Sequence, residues 1–399
     1  MAKNIMEKKN VRLFPVFSTI FRIWKRETLK RLFSFRHLAI NMFRAKRIRK
    51  GILRKEGLLV PTAIALSPTS NCNLNCLGCY SRSHPQKDQL TIETIERCVG
   101  EAVECGVFLF VITGGEPFLL KKMIPIYKKY ARALFLVITN GTLITPETAD
   151  EIAESGNVIP VVSVEGDLEM TDKRRGKGVF DLAMQAMDRF RERKVLFGFS
   201  AVCTDASIEY LGSETFVGRM VEAGCTLGFY NELIPIREGD ETYMPSREQK
   251  QQFKDRLIEH RRTKPIVLIN LPEDEYDEAG YCMAVGRGAM HINSQGWAEP
   301  CPFAHYAREN INAHSFRDLL QSPFFKALRD HPTALMHGEI GCSLVANREI
   351  LKEIAETTGA VPTSEASRGH SGEMHLRKKI EEDDGIEKEP KDGGKIAAR

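Results

Sequence analysis

Three cysteines within eight residues are the side chains in this sequence best suited to chemistry. Cys72, Cys76 and Cys79 lie in the stretch Asn-Cys-Asn-Leu-Asn-Cys-Leu-Gly-Cys-Tyr. Three thiolates on one loop can bind three irons of an iron–sulfur cluster, which leaves the fourth iron open for chemistry. Structural zinc sites usually pair two CxxC units, and no second unit follows nearby, so zinc is the weaker interpretation. Buried cysteines without metal are weaker still, because Asn and Gly make the stretch poor in apolar residues.

Polar residues also follow several apolar runs further along the chain. The run that ends at Ile112 continues as Thr-Gly-Gly-Glu-Pro, residues 113–117. Two glycines let the backbone approach a ligand closely, and the Glu116 carboxylate can pair with a cationic amino group. The Gly-Gly-Glu-Pro part of this stretch also suits an ordinary tight turn. The next two apolar runs end in further polar residues, Asn140, Ser163 and Glu165.

The elements that position these residues alternate between short β-rich runs and longer helical patterns. Strands are predicted near residues 63–69, 107–113, 134–139, 159–164, 196–202 and 227–235. Helices are predicted over residues 92–105, 147–154, 180–193, 214–223 and 247–261. Six repeats are too few for a closed eight-fold barrel, so we expect an α/β fold, a partial (β/α)6 TIM-type barrel. In such a sheet, reactive groups lie on loops at the carboxyl ends of the strands.

On these motifs the chain resembles the radical S-adenosylmethionine (SAM) superfamily. The resemblance rests on CxxxCxxC after the first strand and GGEP after the second, and it covers residues 61 to about 260. It implies that Cys72, Cys76 and Cys79 hold a [4Fe–4S] cluster whose open iron binds the methionine part of SAM. It also implies reductive cleavage of SAM to a 5′-deoxyadenosyl radical, which abstracts hydrogen from a substrate. One position departs from many members, because Gly78 replaces an aromatic residue or His and Tyr80 follows the third cysteine.

The resemblance further implies which residues bind SAM. The GGEP element would contact the SAM amino group, and the ends of strands three and four would face its ribose and methionyl parts. Arg174 or Arg175 would lie near the SAM carboxylate, and we select Arg175. The predicted SAM-binding residues are therefore Gly114, Gly115, Glu116, Pro117, Asn140, Ser163, Glu165 and Arg175. No residue is assigned a catalytic role.

Three further cysteines, Cys282, Cys301 and Cys342, lie in a C-terminal segment with a different pattern. A hairpin is predicted there, with His291–Ile292 paired to Trp297–Ala298. The segment is similar to the SPASM or twitch extensions of radical SAM enzymes, although a full SPASM set has seven cysteines. The resemblance implies at most one auxiliary cluster on the three cysteines, with His305, solvent or substrate in the fourth place. Burial of the cysteines in a small hairpin unit is the alternative.

The 399 residues suffice for one large or two modest domains, and the net charge of +4 conceals a basic N-terminus. Residues 1–60 hold 17 Lys and Arg against 3 Glu. Apolar residues recur there at three- and four-residue intervals, which predicts a basic amphipathic helix that packs on the core or lies on an anionic membrane. The predicted division is a helical extension 1–60, the radical SAM core 61–264, a small C-terminal α+β unit 265–362 and a disordered tail 363–399.

These features predict a radical SAM enzyme with a [4Fe–4S] cluster, SAM and a second iron–sulfur cluster. A reductant such as ferredoxin or flavodoxin is the implied partner, and the substrate is a peptide, a protein or a lipid-linked molecule. No nucleic-acid module is recognisable, so no nucleic-acid partner is expected. The absence of an export signal predicts a cytoplasmic protein. Peripheral contact with a membrane through residues 10–50 is a further expectation. The alternative is a non-catalytic zinc or iron–sulfur protein with a scaffold or regulatory role.

Overall fold

A computed structural model describes most of the chain, namely residues 29–83, 88–235, 239–331, 333–336 and 341–364. The predicted amphipathic pattern before residue 29 and the predicted tail from residue 365 onward lie outside the described residues.

One sheet of nine strands, in the order β7-β6-β5-β4-β3-β2-β1-β8-β9, forms the centre of the fold. Its strands are β1 (Ala63–Leu66), β2 (Leu109–Ile112), β3 (Leu134–Thr139), β4 (Val158–Ser163), β5 (Gly198–Cys203), β6 (Leu227–Glu232), β7 (Val267–Leu271), β8 (Ala289–Ile292) and β9 (Ala298–Glu299). Strands β1 to β6 each pair in parallel with the next strand, and β8 pairs in parallel with the other side of β1. The sheet curls into a half-barrel, so the predicted partial TIM-type barrel and its six strands are confirmed.

Helices follow most strands and cover the sheet. They are α1 (Leu29–Glu56), α2 (Ile92–Glu104), α3 (Ile124–Lys129), α4 (Pro146–Ser155), α5 (Leu168–Arg175), α6 (Val179–Glu192), α7 (Ile208–Leu211), α8 (Glu214–Ala223), α9 (Arg247–Thr263), α10 (Phe316–Leu320), α11 (Pro323–Asp330), α12 (Ser343–Ala346) and α13 (Arg348–Thr358). Helix α2 shows why they form. Thr91 caps its first turn, and Ile95, Cys98, Val99 and Ala102 recur at helical spacing on the buried face.

The N-terminal helix α1 packs one side against the barrel. Ala45 and Ile52 on that side are buried, and the Arg49 guanidinium donates to the Gly106 carbonyl at 2.5 Å. The other side exposes the large apolar residues Ile40, Met42, Phe43 and Leu53. Within the described ranges, no helix combines the length and apolar content that crossing a bilayer requires.

The C-terminal unit continues the sheet. Strands β8 and β9 form a hairpin, in which His291 faces Glu299 and Ile292 faces Ala298. Its second strand is Ala298–Glu299, one residue later than predicted, because Trp297 bridges to Asn310 instead. A separate pair, β10 (Tyr306–Ala307) and β11 (Val361–Pro362), is antiparallel. Strand β7 is an addition to the predicted set, and it pairs with β6 although it falls within the segment predicted as a separate unit. Thr363 and Ser364, at the start of the predicted tail, are buried.

Candidate radical SAM site

The loop that carries Cys72, Cys76 and Cys79 follows β1 and is held by its neighbours through the backbone. The Ser70 N–H donates to the Asp88 carbonyl at 2.9 Å, and the Leu77 N–H donates to the Arg174 carbonyl at 3.0 Å. Cys72 is exposed, and Cys76 and Cys79 are half-buried. The carboxyl edge of the sheet therefore presents all three thiols on a loop fixed at both ends.

The surroundings of these thiols suit a cluster. The Leu74 N–H donates to Cys72 Sγ at 3.4 Å, the kind of hydrogen bond that stabilises a metal-bound thiolate. Burial raises the pKa of Cys76, and the nearby Arg175 guanidinium opposes that rise. Among the described residues, no three Cys, His, Asp or Glu side chains lie close enough to hold a single metal ion. A cluster needs a wider arrangement, because each thiolate binds a different iron.

Gly78, which departs from the pattern of many superfamily members, has a positive φ of 63°. That conformation strongly favours glycine, so an aromatic residue at this position would strain the loop. The neighbouring ring is supplied by Tyr80 instead, whose hydroxyl lies 2.8 Å from Thr113 Oγ1.

The double glycine is required by close backbone contact with the cysteine loop. A Cβ atom on Gly115 would lie 1.9 Å from the Asn71 carbonyl oxygen, and one on Gly114 would lie 2.5 Å from that of Thr69. The Gly115 N–H donates to the Thr69 carbonyl at 2.8 Å. The two motifs that the sequence placed 40 residues apart thus form one unit, and Pro117 begins the 3-10 turn that follows.

Glu116 is buried, and its carboxylate already has protein donors. Oε1 accepts from the Phe118 N–H at 3.1 Å and the Thr139 hydroxyl at 2.7 Å, and Oε2 accepts from the Asn140 N–H at 2.8 Å. Burial raises its pKa despite these bonds. The Glu116 carboxylate, which we expected to pair with a cationic amino group, therefore also links the ends of β2 and β3.

Asn140 links the end of β3 to the cysteine loop. Its side-chain amide donates to Asn73 Oδ1 at 2.9 Å and lies 3.9 Å from Cys72 Sγ. Asn73 in turn donates to Thr142 Oγ1 at 2.8 Å. Asn73 was not among the residues predicted from the sequence, although its polar side chain between Cys72 and Cys76 could have indicated it.

Glu165 lies beyond β4 and accepts from both candidate arginines. Arg175 donates through Nε at 2.8 Å and through a terminal nitrogen at 2.5 Å, and Arg174 donates at 2.5 Å. Burial alone would raise the pKa of Glu165, but the two guanidinium charges hold it below its usual range. Ser163, at the end of β4, is buried nearby. Arg175 and Glu165 are therefore paired, with Arg175 also close enough to the thiols for the charge of Cys76 to affect its pKa.

The C-terminal cysteines, separated in sequence, come together in the fold. Tyr276 pairs with Cys282 in a β-bridge, and the Tyr276 hydroxyl accepts from the Ser343 N–H at 2.8 Å, next to Cys342. Burial raises the pKa of Cys282 to about 11 and that of Cys342 to about 12. Cys282 and Cys342 further raise the pKa of Cys301, and Cys282 further raises that of Cys342. Three thiols from distant segments thus share one buried region.

Cys282 shares a backbone feature with Cys72, because its Sγ accepts from the Ala284 N–H, two residues later, at 3.5 Å. Backbone N–H groups that follow Cys301 and Cys342 oppose the rise in the pKa of those thiols. Glu275 lies close enough to raise the pKa of all three. His305, one predicted fourth ligand, has its Nδ1 3.7 Å from Glu299 Oε1. The remaining cysteines, Cys98, Cys105, Cys203 and Cys225, are buried in the hydrophobic core, as predicted.

Comparisons with known proteins agree with this geometry. Residues 66–203 match the radical SAM superfamily model. An AdoMet-dependent heme synthase of Methanosarcina barkeri is 25% identical over 68% of this chain and 85% of that protein. The mycofactocin maturase MftC of Mycolicibacterium smegmatis is 30% identical over 51% of this chain and 53% of that protein. In fold, the crystal structure of Streptococcus suis SuiB bound to S-adenosylmethionine is similar, with a TM-score of 0.60, 20% identity and coverage of 75% of each chain.

The chain is an enzyme with a radical SAM domain over residues 66–203, as the cysteine and double-glycine motifs predicted. Radical SAM enzymes use a [4Fe–4S] cluster and SAM. The alternative of a non-catalytic metal-binding scaffold is thereby set aside.

Proposed function

We propose that this protein binds a [4Fe–4S] cluster through Cys72, Cys76 and Cys79 and uses it to cleave SAM reductively for hydrogen abstraction. The observation that carries the proposal is the direct packing of the double-glycine turn on the cysteine loop. When bound, the cluster supplies the electron that converts SAM to methionine and a 5′-deoxyadenosyl radical. A small redox protein such as a ferredoxin or flavodoxin would reduce it.

The chain's own residues hold SAM and exclude water. Gly114 and Gly115 bring backbone close to the SAM amino group, and Glu116 supplies a buried carboxylate for its positive charge. Arg175, already desolvated against Glu165, supplies a cation for the SAM carboxylate. Asn140 and Ser163, at the ends of β3 and β4, line the positions assigned to the ribose and methionyl parts.

The substrate we propose is a peptide. The relative from Mycolicibacterium is a maturase, and SuiB, whose fold this chain shares, was crystallised with a precursor peptide. The relationship to the heme synthase, which spans 85% of that protein, supports a heme precursor as the second candidate. Anaerobic incubation of reconstituted protein with dithionite should yield 5′-deoxyadenosine from SAM. Hydrogen transfer from a deuterated peptide into that product would support the first candidate, and transfer from a heme precursor alone would favour the second.

Replacing Glu116 with Gln should weaken SAM binding while leaving the cluster spectrum unchanged. The substitution removes a charge-assisted contact of about 1.5–3 kcal/mol, which corresponds to a rise in the SAM Kd of roughly tenfold or more. Equilibrium dialysis of reconstituted protein measures that Kd. Glu241→Gln is the matched control, because Glu241 is also buried and accepts a backbone N–H, from Gly239 at 2.9 Å. Unchanged SAM affinity in the Glu116 variant would restrict Glu116 to joining β2 and β3.

We also propose that Cys282, Cys301 and Cys342 hold a second cluster, as in a twitch-like extension. The effect of Cys282 and Cys342 on the pKa of Cys301 and the Ala284 N–H that donates to Cys282 Sγ support this assignment. The fourth ligand stays as predicted from the sequence, namely His305, solvent or substrate.

The exposed side of α1 suits an anionic membrane surface. Phe43 is 65% exposed and Ile40 is 53% exposed. Exposed cations of the same helix, among them Arg44, Arg47, Lys50 and Arg54, flank them. Apolar side chains at the acyl boundary with Lys and Arg toward acidic headgroups are typical of interfacial helices. We therefore assign peripheral contact with an anionic bilayer to this face.

Phe43→Ser should reduce binding to vesicles rich in phosphatidylglycerol by roughly tenfold, because burial of one large apolar side chain contributes about 1.5–3 kcal/mol. Vesicle co-sedimentation measures this, and binding should fall with added salt. Leu182→Ser, at an exposed apolar residue of α6, is the control. Equal binding by the Phe43 variant and the parent would show that this face of α1 does not contact the bilayer.

A further inference from the structure

The cysteine loop exposes an apolar side chain directly beside two of the proposed cluster ligands. Leu77 lies between Cys76 and Cys79 and is 65% exposed, although the SAM-binding residues described above make no use of it. Asn73 and Asn75, on the same loop, are also exposed. A single exposed leucine is common on protein surfaces, so the position of Leu77 and the charges around it carry the argument.

Lysines border Leu77 on the side of helix α5. The Leu77 N–H donates to the Arg174 carbonyl at 3.0 Å, which places Leu77 against the C-terminal end of that helix. Lys173 and Lys177, at this end, are both exposed. The two arginines between them are instead paired with Glu165 and largely buried. The positive charge that reaches solvent beside Leu77 is therefore that of the two lysines.

The cysteine loop itself does not offset this charge. Residues 67–81 contain no charged side chain. Asp172, next to Lys173 in sequence, accepts from the Gly178 N–H at 2.6 Å and the Phe180 N–H at 3.0 Å, so backbone donors bind its carboxylate. Leu77 thus lies in a neutral loop with exposed cations at its border.

Two more exposed lysines, Lys121 and Lys122, lie toward the other end of the loop. There Asn73 donates to Thr142 Oγ1 at 2.8 Å, just before helix α4. Lys121 lies close enough to Glu147, in the first turn of α4, for the two charges to interact. Exposed lysines therefore flank the cysteine loop on two sides.

We propose that Leu77, Lys173 and Lys177 form the docking face for the protein that reduces the cluster, and that this partner is a small acidic electron-transfer protein. Leu77 supplies an apolar contact beside two ligand sulfurs, and the lysines attract the acidic surface of the partner. Complexes that transfer electrons have small interfaces and depend on such steering by charge. One electron passes from the partner to the cluster, and no bond forms or breaks. This inference rests on the proposed function.

The test compares two reductants on full-length, anaerobically reconstituted protein. One is an acidic flavodoxin, kept reduced by NADPH and its reductase, and the other is excess dithionite, a small reductant that needs no protein interface. Lys173→Glu/Lys177→Glu should slow flavodoxin-driven formation of 5′-deoxyadenosine about tenfold at low flavodoxin concentration, because both charges on the face are reversed. Dithionite-driven formation and iron content should not change.

A binding measurement gives a readout that does not depend on turnover. The Kd for oxidised flavodoxin, obtained by isothermal titration calorimetry without SAM or reductant, should also rise about tenfold in the double variant. Added salt should weaken flavodoxin binding to the parent more than to the variant, because the variant has lost the attraction that salt screens. Leu77→Ser should weaken binding as well, with the salt dependence of the parent retained.

Lys326→Glu/Lys352→Glu is the matched control, because it reverses two exposed lysines on α11 and α13 and changes the net charge equally. It should bind and use flavodoxin like the parent. An unchanged flavodoxin Kd in the Lys173/Lys177 variant, or an equal loss with dithionite, would overturn the docking face alone. A parent protein that cleaves no SAM even with dithionite would instead overturn the proposed function and the docking face with it.

Discussion

Replacing Cys72, Cys76 and Cys79 together with Ala should abolish 5′-deoxyadenosine formation and remove about four irons and four sulfides per chain. These thiols are the proposed ligands of the SAM-cleaving cluster, and without them the electron has no route to SAM. The loss of activity should reach the background of the uncatalysed reaction. Iron and sulfide analysis, together with chromatography of the anaerobic reaction mixture, measures both effects in one preparation.

The matched control replaces Cys98 of α2 and Cys105, the residue after that helix, with Ala. Both are buried in the core, so their loss should lower the unfolding temperature while iron content and SAM cleavage persist. A triple variant at residues 72, 76 and 79 that is folded and still forms 5′-deoxyadenosine would refute the assignment of the cluster. Retained iron without SAM cleavage would instead show that residues other than these three cysteines bind the cluster.

The barrel could be predicted because its pattern is local. Each of the six strands is a short apolar run, and the intervening helices repeat apolar residues at helical spacing, so period and length suffice. Strand β7 was missed because Val267–Leu271 follows Pro265, where the pattern changes, and was therefore assigned to the C-terminal unit. Its assignment depends on pairing with β6, where Leu227 faces Val267, and such a contact between distant residues leaves no periodic signal.

In the candidate site, too, contiguous motifs could be predicted from the sequence, whereas contacts between distant residues could not. The cysteine loop and the double glycine are contiguous motifs, so their residues could be named from sequence. The hydrogen bonds that Thr139 and Asn140 donate to the Glu116 carboxylate could not be predicted, because they depend on how closely the ends of β2 and β3 approach each other. The contact of Ser67 with His291 spans 224 residues and arises only when β8 pairs with β1. Polar residues in a predicted hairpin strand were the one available hint of it.

Replacing Cys282, Cys301 and Cys342 together with Ala should lower the iron content by about three or four atoms per chain. The three thiols come from separate segments of the chain. Tyr276 links two of these segments, because it forms a β-bridge with Cys282 and its hydroxyl accepts from the Ser343 N–H, next to Cys342. A cluster bound there would cross-link the unit, because metal binding to distant ligands stabilises the fold that brings them together. The variant should therefore also lose resistance to protease in the C-terminal unit.

Limited proteolysis with mass spectrometry locates that loss, and iron analysis counts the cluster. The first cluster should remain, so SAM cleavage without substrate should persist in this variant, in contrast to the variant at residues 72, 76 and 79. Cys225→Ala is the control, because Cys225 is fully buried against Met187 and its removal tests core packing alone. Unchanged iron with a protease-resistant C-terminal unit would make the three cysteines ordinary core residues of an enzyme with one cluster. Unchanged iron with a loosened unit would show that their burial, and not a metal, holds these segments together.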